Sequence, residues 1–237
     1  MFKRFLLLIY FFMNQYLTNQ EVKLKRIKRI ALWLGSVAIV AGSVWSIIAL
    51  NKTSQDSVLG TQISGSDHIF GNPEGVVELV EYSDFQCPAC AAASPKVNQL
   101  LVDFEGQIKF VYRHFPLTSI HSNAAPAARA AEAAGMQGKF LQMADLLFAN
   151  QDVWAHMPDA TGLFTDYGVQ LGLNSDQFQR DMRFKDIEAK IENDLKSGLD
   201  DNVNATPTFF LNGKKITTPA TYEGFKALIQ KAIDDKE

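Results

Sequence analysis

The chain carries only two cysteines, and they stand three positions apart in Cys87-Pro88-Ala89-Cys90. A disulfide between them closes a tiny loop and adds little as a structural staple. No third cysteine exists to make a long-range bridge. The fold must therefore be held by a buried apolar core, and a chain of 237 residues that is 47% hydrophobic can supply one. The pair itself is left as reactive, as half of a metal site, or as incidental. A tetrahedral zinc site needs four ligands. The available histidines, His68, His114, His121 and His156, show no paired ligand spacing, so no metal site is expected. The net charge of −3 gives no reason to expect a nucleic-acid partner.

Residues 30–50 contain no charged side chain. At about 1.5 Å per residue they reach roughly 31 Å, the thickness of a hydrocarbon core. Trp33 and Trp45 lie near the two ends, where indole rings favour the interface. Lys23, Lys25, Arg26, Lys28 and Arg29 precede the run, whereas up to Gly75 only Lys52 follows it. The bias of positive charge predicts a cytoplasmic N-terminal segment over residues 1–29, a single transmembrane anchor over 30–50, and an extracytoplasmic domain at the cell membrane. A cleaved signal peptide has the same order of basic and apolar segments. The run is longer than a usual signal core, and its bulky end lacks a small-x-small cleavage site, which favours the anchor. A second apolar run, residues 5–13, is too short to span a bilayer; a start at Met13 would leave a conventional basic-then-apolar order. Residues 51–66, rich in Ser, Thr, Gln, Asp and Gly, read as a flexible tether.

The domain from 67 to 237 opens with a β-prone, mostly apolar run over 76–82, which predicts a buried strand. Residues 83–86 make a turn. A helix begins at Pro88, a favoured first-turn residue, contains Pro95 as a kink, and stops at Gly106. A second strand is predicted over 108–115, giving a βαβ unit with a parallel pair. Residues 121–203 are almost wholly helix-prone, with pieces over 123–134, 140–149, 161–171, 175–182 and 184–199. Gly172-Leu173-Asn174-Ser175 reads as a stop followed by a cap. Residues 207–211 and 214–217 flank Asn212-Gly213 as a hairpin. An amphipathic helix over 222–233 closes the chain. This order is an α/β core interrupted by a helical insert.

A Cys-x-x-Cys pair at a helix N-terminus has a physical purpose. Backbone N–H groups and the helix dipole favour negative charge there. Cys87 is expected to be the exposed thiolate and Cys90 the more buried partner one turn on. Such placement lowers the first cysteine's pKa from about 8.5 into the range ~3.5–7.5 and makes the disulfide form more oxidising. A substrate thiolate would attack Cys87 and expel Cys90, and a second substrate thiolate would release the oxidised substrate. No cofactor is needed beyond the Cys87–Cys90 disulfide.

Placed this way, the residues resemble the DsbA-like branch of the thioredoxin superfamily. The likeness runs from about Phe70 to Ile233. It is carried by Val80-Glu81-Tyr82-Ser83-Asp84-Phe85-Gln86-Cys87-Pro88-Ala89-Cys90, by Pro95, by the helical stretch after His121, and by Asn204-Ala205-Thr206-Pro207-Thr208-Phe209-Phe210-Leu211-Asn212-Gly213. The resemblance implies a thioredoxin-like fold with an inserted α-helical domain and a protein-disulfide oxidoreductase activity. It implies that Pro207 is cis and faces Cys87, and that Thr206, Pro207, Pro88 and Ala89 contact an extended substrate segment. On the residues alone, Pro207 reads as an edge-strand proline with a trans bond. The resemblance also implies that Glu81 is a buried acid that helps proton transfer at Cys90; without it, Glu81 reads equally as a solvated strand carboxylate. His114 reads as a strand histidine rather than a catalytic one.

The expected function is a dithiol oxidase that forms disulfides in cysteine-containing exported proteins and is reoxidised by a quinone-linked membrane protein. A disulfide reductase or isomerase is the first rival, and a non-catalytic peptide-binding thioredoxin-like module the second. Pro88-Ala89 offers the Cys87 thiolate neither a charge nor a side-chain hydrogen bond, so its pKa is expected to be less depressed than in the strongest oxidases.

Overall fold

The computed structural model describes residues 58–236 and, upstream, residues 33, 36, 37, 39–43, 45 and 46, which are helical. The segment expected over 1–29 and most of the span expected over 30–50 lie outside the described residues. Among the described residues no helix is long and apolar enough to cross a membrane. The chain divides into two units, Met1–Thr53 and Ser54–Glu237. The second contains the sheet and the Cys87–Cys90 pair.

Five strands form one sheet in the order β1-β3-β2-β4-β5. They are β1 (His68–Gly71), β2 (Val77–Ser83), β3 (Ile108–His114), β4 (Thr208–Leu211) and β5 (Lys214–Ile216). The β2–β3 pair is parallel, from Val77 opposite Ile108 to Ser83 opposite His114. The other pairs are antiparallel. Helix α1 (Pro88–Asp103) makes the crossover between β2 and β3, as its place between two β-prone runs requires. Six helices then intervene before β4: α2 (Ala124–Gly135), α3 (Phe140–Ala149), α4 (Gln151–Trp154), α5 (Thr161–Gln170), α6 (Ser175–Asp181) and α7 (Lys185–Asp200). Helix α8 (Tyr222–Asp234) follows the hairpin and packs beside α1. Asn174 caps α6 by accepting from the Gln177 N–H. Asn212 and Gly213 both have positive φ, the conformation a tight hairpin of this kind demands.

Both faces of the sheet are covered. Val77, Leu79, Phe110 and Tyr112 join α1, α8 and the insert in the main core, which includes Leu100, Phe164, Phe178 and Phe225. Val80, Tyr82, Val111 and Phe210 form a second core with Phe115 and Val203, covered by Leu59, Ile63 and Leu195. Of the tether expected over 51–66, residues 51–57 lie outside the described residues, and residues 58–63 lie against the domain rather than free in solvent: Leu59 and Ile63 pack on this core, Val58 bridges to Lys214, Leu59 N–H donates to the Gly213 carbonyl at 2.8 Å, and Gly60 N–H donates to Asp201 Oδ1 at 2.6 Å. A polar composition suggested solvent, but two apolar side chains and a set of backbone donors have partners waiting on the second core. Strand β1 and the short α4 were also unforeseen.

Candidate active site

The site forms where β2 ends and α1 begins. Cys87 is the N-cap of α1, with extended backbone (φ −76°, ψ 121°) and Pro88 in the first turn. Its carbonyl accepts from the N–H groups of Cys90 and Ala91, at 3.0 and 3.1 Å. Both cysteines are free thiols. Cys87 keeps 8% of its surface exposed and Cys90 none, so a reactant reaches Cys87 first. Opposite them the Thr206–Pro207 peptide is cis, and Cys87 Sγ–H donates to the Thr206 carbonyl at 3.3 Å. The sheet explains this convergence: β4 pairs with β2, with Thr208 opposite Tyr82. The segment entering β4 therefore ends beside the segment leaving β2.

The two thiols sit in unlike environments. The Cys90 thiol hydrogen-bonds the Cys87 sulfur; burial opposes it, and the Thr206 hydroxyl and the N–H groups of Cys90 and Ala89 add to it. The Cys87 pKa is lowered to about 5. This lies inside the range of helix-capping cysteines and above the ~3.5 of the most oxidising one. Burial pushes Cys90 well up, and its bond to Cys87 and the charge on Glu81 push it further. Glu81 is 3% exposed and lies in the sheet opposite Tyr112 on one side and Phe209 on the other. Burial raises its pKa to about 7; the Ser83 hydroxyl offsets part of the rise and the charge on Cys87 adds to it. The fold thus brings Cys87, Cys90, Glu81, Pro88, Ala89, Thr206 and Pro207 into one region.

Several residues that fix this geometry were not singled out by the sequence. Asp84, read only as part of a turn, accepts from Gln86 N–H at 2.7 Å, from Leu117 N–H at 2.9 Å and from His121 Nδ1 at 2.7 Å. Its own N–H points at Cys90 Sγ at 3.5 Å. Gln151 donates to the carbonyls of Phe85 and Cys87 at 2.7 and 3.1 Å, and Gln86 donates to that of Ala155 at 2.7 Å. The redox turn is therefore tied to the helical insert by amide side chains. The only available signal was that polar residues stood beside the cysteines. An open hollow of about 420 Å³ lies between turn and insert, lined by Gln86, Pro88, Ile120, His121, His156 and Met157. A larger hollow of about 520 Å³ on the insert, lined by Arg129, Thr165, Gln179 and Arg183, holds none of the predicted site residues. His114 is buried and hydrogen-bonded to Glu132.

With two thiols of opposed acidity at a helix N-terminus, the site can exchange a dithiol for a disulfide. A family model described as thioredoxin matches residues 64–231. Among curated proteins, the chain is 40% identical over 167 residues to the Na(+)/H(+) antiporter NhaA 3 of Salinispora tropica, covering 70% of this chain and 25% of that protein. It is 38% identical over 157 residues to the antiporter NhaA 1 of Mycobacterium sp. strain KMS, covering 65% and 24%. The chain thus spans about a quarter of the length of the curated relatives it matches. Among solved structures, a thioredoxin-like oxidoreductase from Silicibacter pomeroyi is 28% identical with a TM-score of 0.60, covering 72% of this chain and 94% of that one. BdbD from Bacillus subtilis, in its oxidised form, is 23% identical with a TM-score of 0.66, covering 76% and 99%. α-DsbA1 from Wolbachia pipientis is 23% identical with a TM-score of 0.64, covering 74% and 96%; at these identities the last two share its fold. The chain belongs to the thioredoxin family, built in the DsbA-type form in which a helical insert interrupts the α/β core.

Proposed function

We propose that this chain is a DsbA-type protein-disulfide oxidoreductase, anchored in the cell membrane and working outside the cytoplasm as a dithiol oxidase on cysteine-containing exported proteins. The observation that carries the reading is the opposed acidity of Cys87 and Cys90, lowered and raised respectively, beside the cis Thr206–Pro207 peptide. In the oxidised enzyme a substrate thiolate attacks Cys87 Sγ. The Cys87–Cys90 bond breaks, the electron pair goes to Cys90, and Cys90, with its high proton affinity, takes a proton with Glu81 as the nearby exchanger. A second thiolate of the substrate attacks the substrate sulfur of the mixed disulfide, and Cys87 leaves as the stabilised thiolate. Two electrons pass from the substrate dithiol to the enzyme dithiol. A quinone-linked membrane protein takes them up and restores the disulfide. Thr206, Pro207, Pro88 and Ala89 line the extended substrate, with the hollow beside Pro88 and Ile120 available to a substrate side chain. Anchorage and compartment rest on the uncharged run over 30–50 and its basic flank.

The reading as reductase draws support from the Pro88-Ala89 dipeptide and from a Cys87 pKa near 5 rather than lower. The reduction potential of the full chain in detergent decides between them. A value near −120 mV is expected of an oxidase, and one near −270 mV would reverse the assigned direction. Cys87→Ser is expected to abolish exchange with a model dithiol peptide; retained exchange would overturn the site itself.

A further inference from the structure

The histidines that lack paired spacing in sequence are paired by the fold. His68 on β1 lies opposite Tyr112 of β3, and His114 stands two residues beyond Tyr112, so both histidines project from the same face of the sheet. Helix α2 crosses that face and brings Glu132 between them. Glu132 Oε1 lies 2.8 Å from His68 Nε2 and 2.8 Å from His114 Nε2. The three ligand atoms all lie within 4.8 Å of one another. The rings are held in place by packing: His68 stacks on Phe140 at 3.9 Å between centroids, and His114 meets the Tyr112 edge at 5.3 Å. Side-chain exposure is 1% at His114, 10% at Glu132 and 22% at His68.

The three side chains answer one another. Burial pushes the Glu132 carboxyl up, and the two imidazoles more than reverse that, holding it well below the usual carboxylate range. Among the described residues no lysine or arginine is paired with it. Two imidazole nitrogens and one carboxylate oxygen, borne on three separate elements, make a ligand set that suits borderline divalent ions.

We propose that His68, His114 and Glu132 form a binding site for a divalent transition-metal ion of the zinc class, separate from the redox cysteines, which ties the edge of the sheet to the helical insert. On binding, each imidazole gives its Nε2 lone pair to the ion: the Nε2 proton leaves to solvent and the ring's single proton sits on Nδ1, taken up there from solvent if the ring was singly protonated, so each ring is neutral in the complex and Glu132 binds through its carboxylate. Metal–ligand bonds of about 2.0–2.1 Å at tetrahedral angles put ligand atoms roughly 3.3 Å apart, so the 2.8 Å contacts open by about half an ångström. A fourth position goes to water, which reaches the cluster beside His68. The role is structural: none of the three residues belongs to the exchange chemistry.

The test uses the full chain in detergent with Cys87 and Cys90 locked as their disulfide, so that thiolates cannot take the metal. Cobalt(II) is the probe. One equivalent is expected to bind with visible d–d absorption, without thiolate charge-transfer bands, and to be displaced by zinc. His68→Ala, a change on the partly exposed edge strand, is expected to weaken binding by more than about 100-fold, beyond the loss of an outer-shell partner. Glu132→Gln is expected to do the same with unchanged circular dichroism. Failure of the oxidised parent to take up cobalt would overturn the site without recourse to any variant. Undiminished binding by His68→Ala would overturn it too, by moving the metal to His121 and His156 or elsewhere.

Discussion

At the scale of the residue, Glu81 and Cys87 show how one fold moves two acids in opposite directions. Burial raises the Glu81 carboxyl from 4.5 to about 7. The folded chain therefore keeps a proton that the unfolded chain has lost, and the cost of ionising Glu81 in place grows as pH rises from about 4.5 to about 7 and is complete above that. Glu81→Gln is expected to be more stable than the parent above pH 7, by a pH-dependent part on the order of 3 kcal/mol that disappears below pH 4.5. Urea unfolding of the disulfide form across this window measures the part due to burial, the largest cause, since the disulfide removes both Cys87's titration and its charge. The lowered Cys87 thiol contributes the other way in the dithiol form: its stabilisation is whole above about pH 9 and is lost as pH falls through about 5. A flat difference between Glu81→Gln and the parent would mean that the carboxylate is solvated. Alternation along β2 left the side chain's direction open because Val80 and Tyr82 are buried as fully as Leu79. A strand covered on both faces carries no inside–outside code. The cysteine pair was legible because both members stand within one turn of a single segment; Asp84 and Gln151 were not, because their partners come from segments distant in sequence.

At the scale of the element, the long insert helices were readable, since alanine-rich and 3.6-periodic runs declare themselves without tertiary help. Strand β1 did not, because four residues give too little pattern and it exists through its pairing with β3. Helix α7 carries the sharpest packing constraint. Gly198 faces the second core, and a Cβ there would meet Phe115 Cδ2 at 2.6 Å and Tyr82 Cδ1 at 3.0 Å. Both rings are buried and cannot swing away. In an open helix, Gly→Ala gains about 1 kcal/mol. Here Gly198→Ala is expected to destabilise by about 1–3 kcal/mol, as overpacking does, with exchange activity retained below the melting transition; thermal unfolding reads the sign directly. A stabilised variant would show that α7 can lift off β3 at no cost.

At the scale of the whole domain, a buried charge cluster fastens the lead-in to the sheet. Arg113 and Asp67 are 2% and 4% exposed and meet at 2.8 Å. Arg113 also donates to the Thr61 and Gln62 carbonyls and to Tyr82 OH. Asp67→Ala strands a buried guanidinium and is expected to cost about 3–5 kcal/mol, whereas Asp67→Leu with Arg113→Met is expected to recover most of it. Equilibrium unfolding of the three proteins checks both, and equal losses would remove the pair as the fastening. The same lead-in has a consequence at the sheet's rim. Strand β5 is three residues long, carries Lys214 and Lys215, and has Val58 and Leu59 bonded at its turn end. A short, charged, partly occupied edge offers another chain little open ladder to extend. The border of the sheet thus guards the folded domain against strand-by-strand growth with a neighbouring chain, while the cysteines stay at the far end of β2, open to reactants.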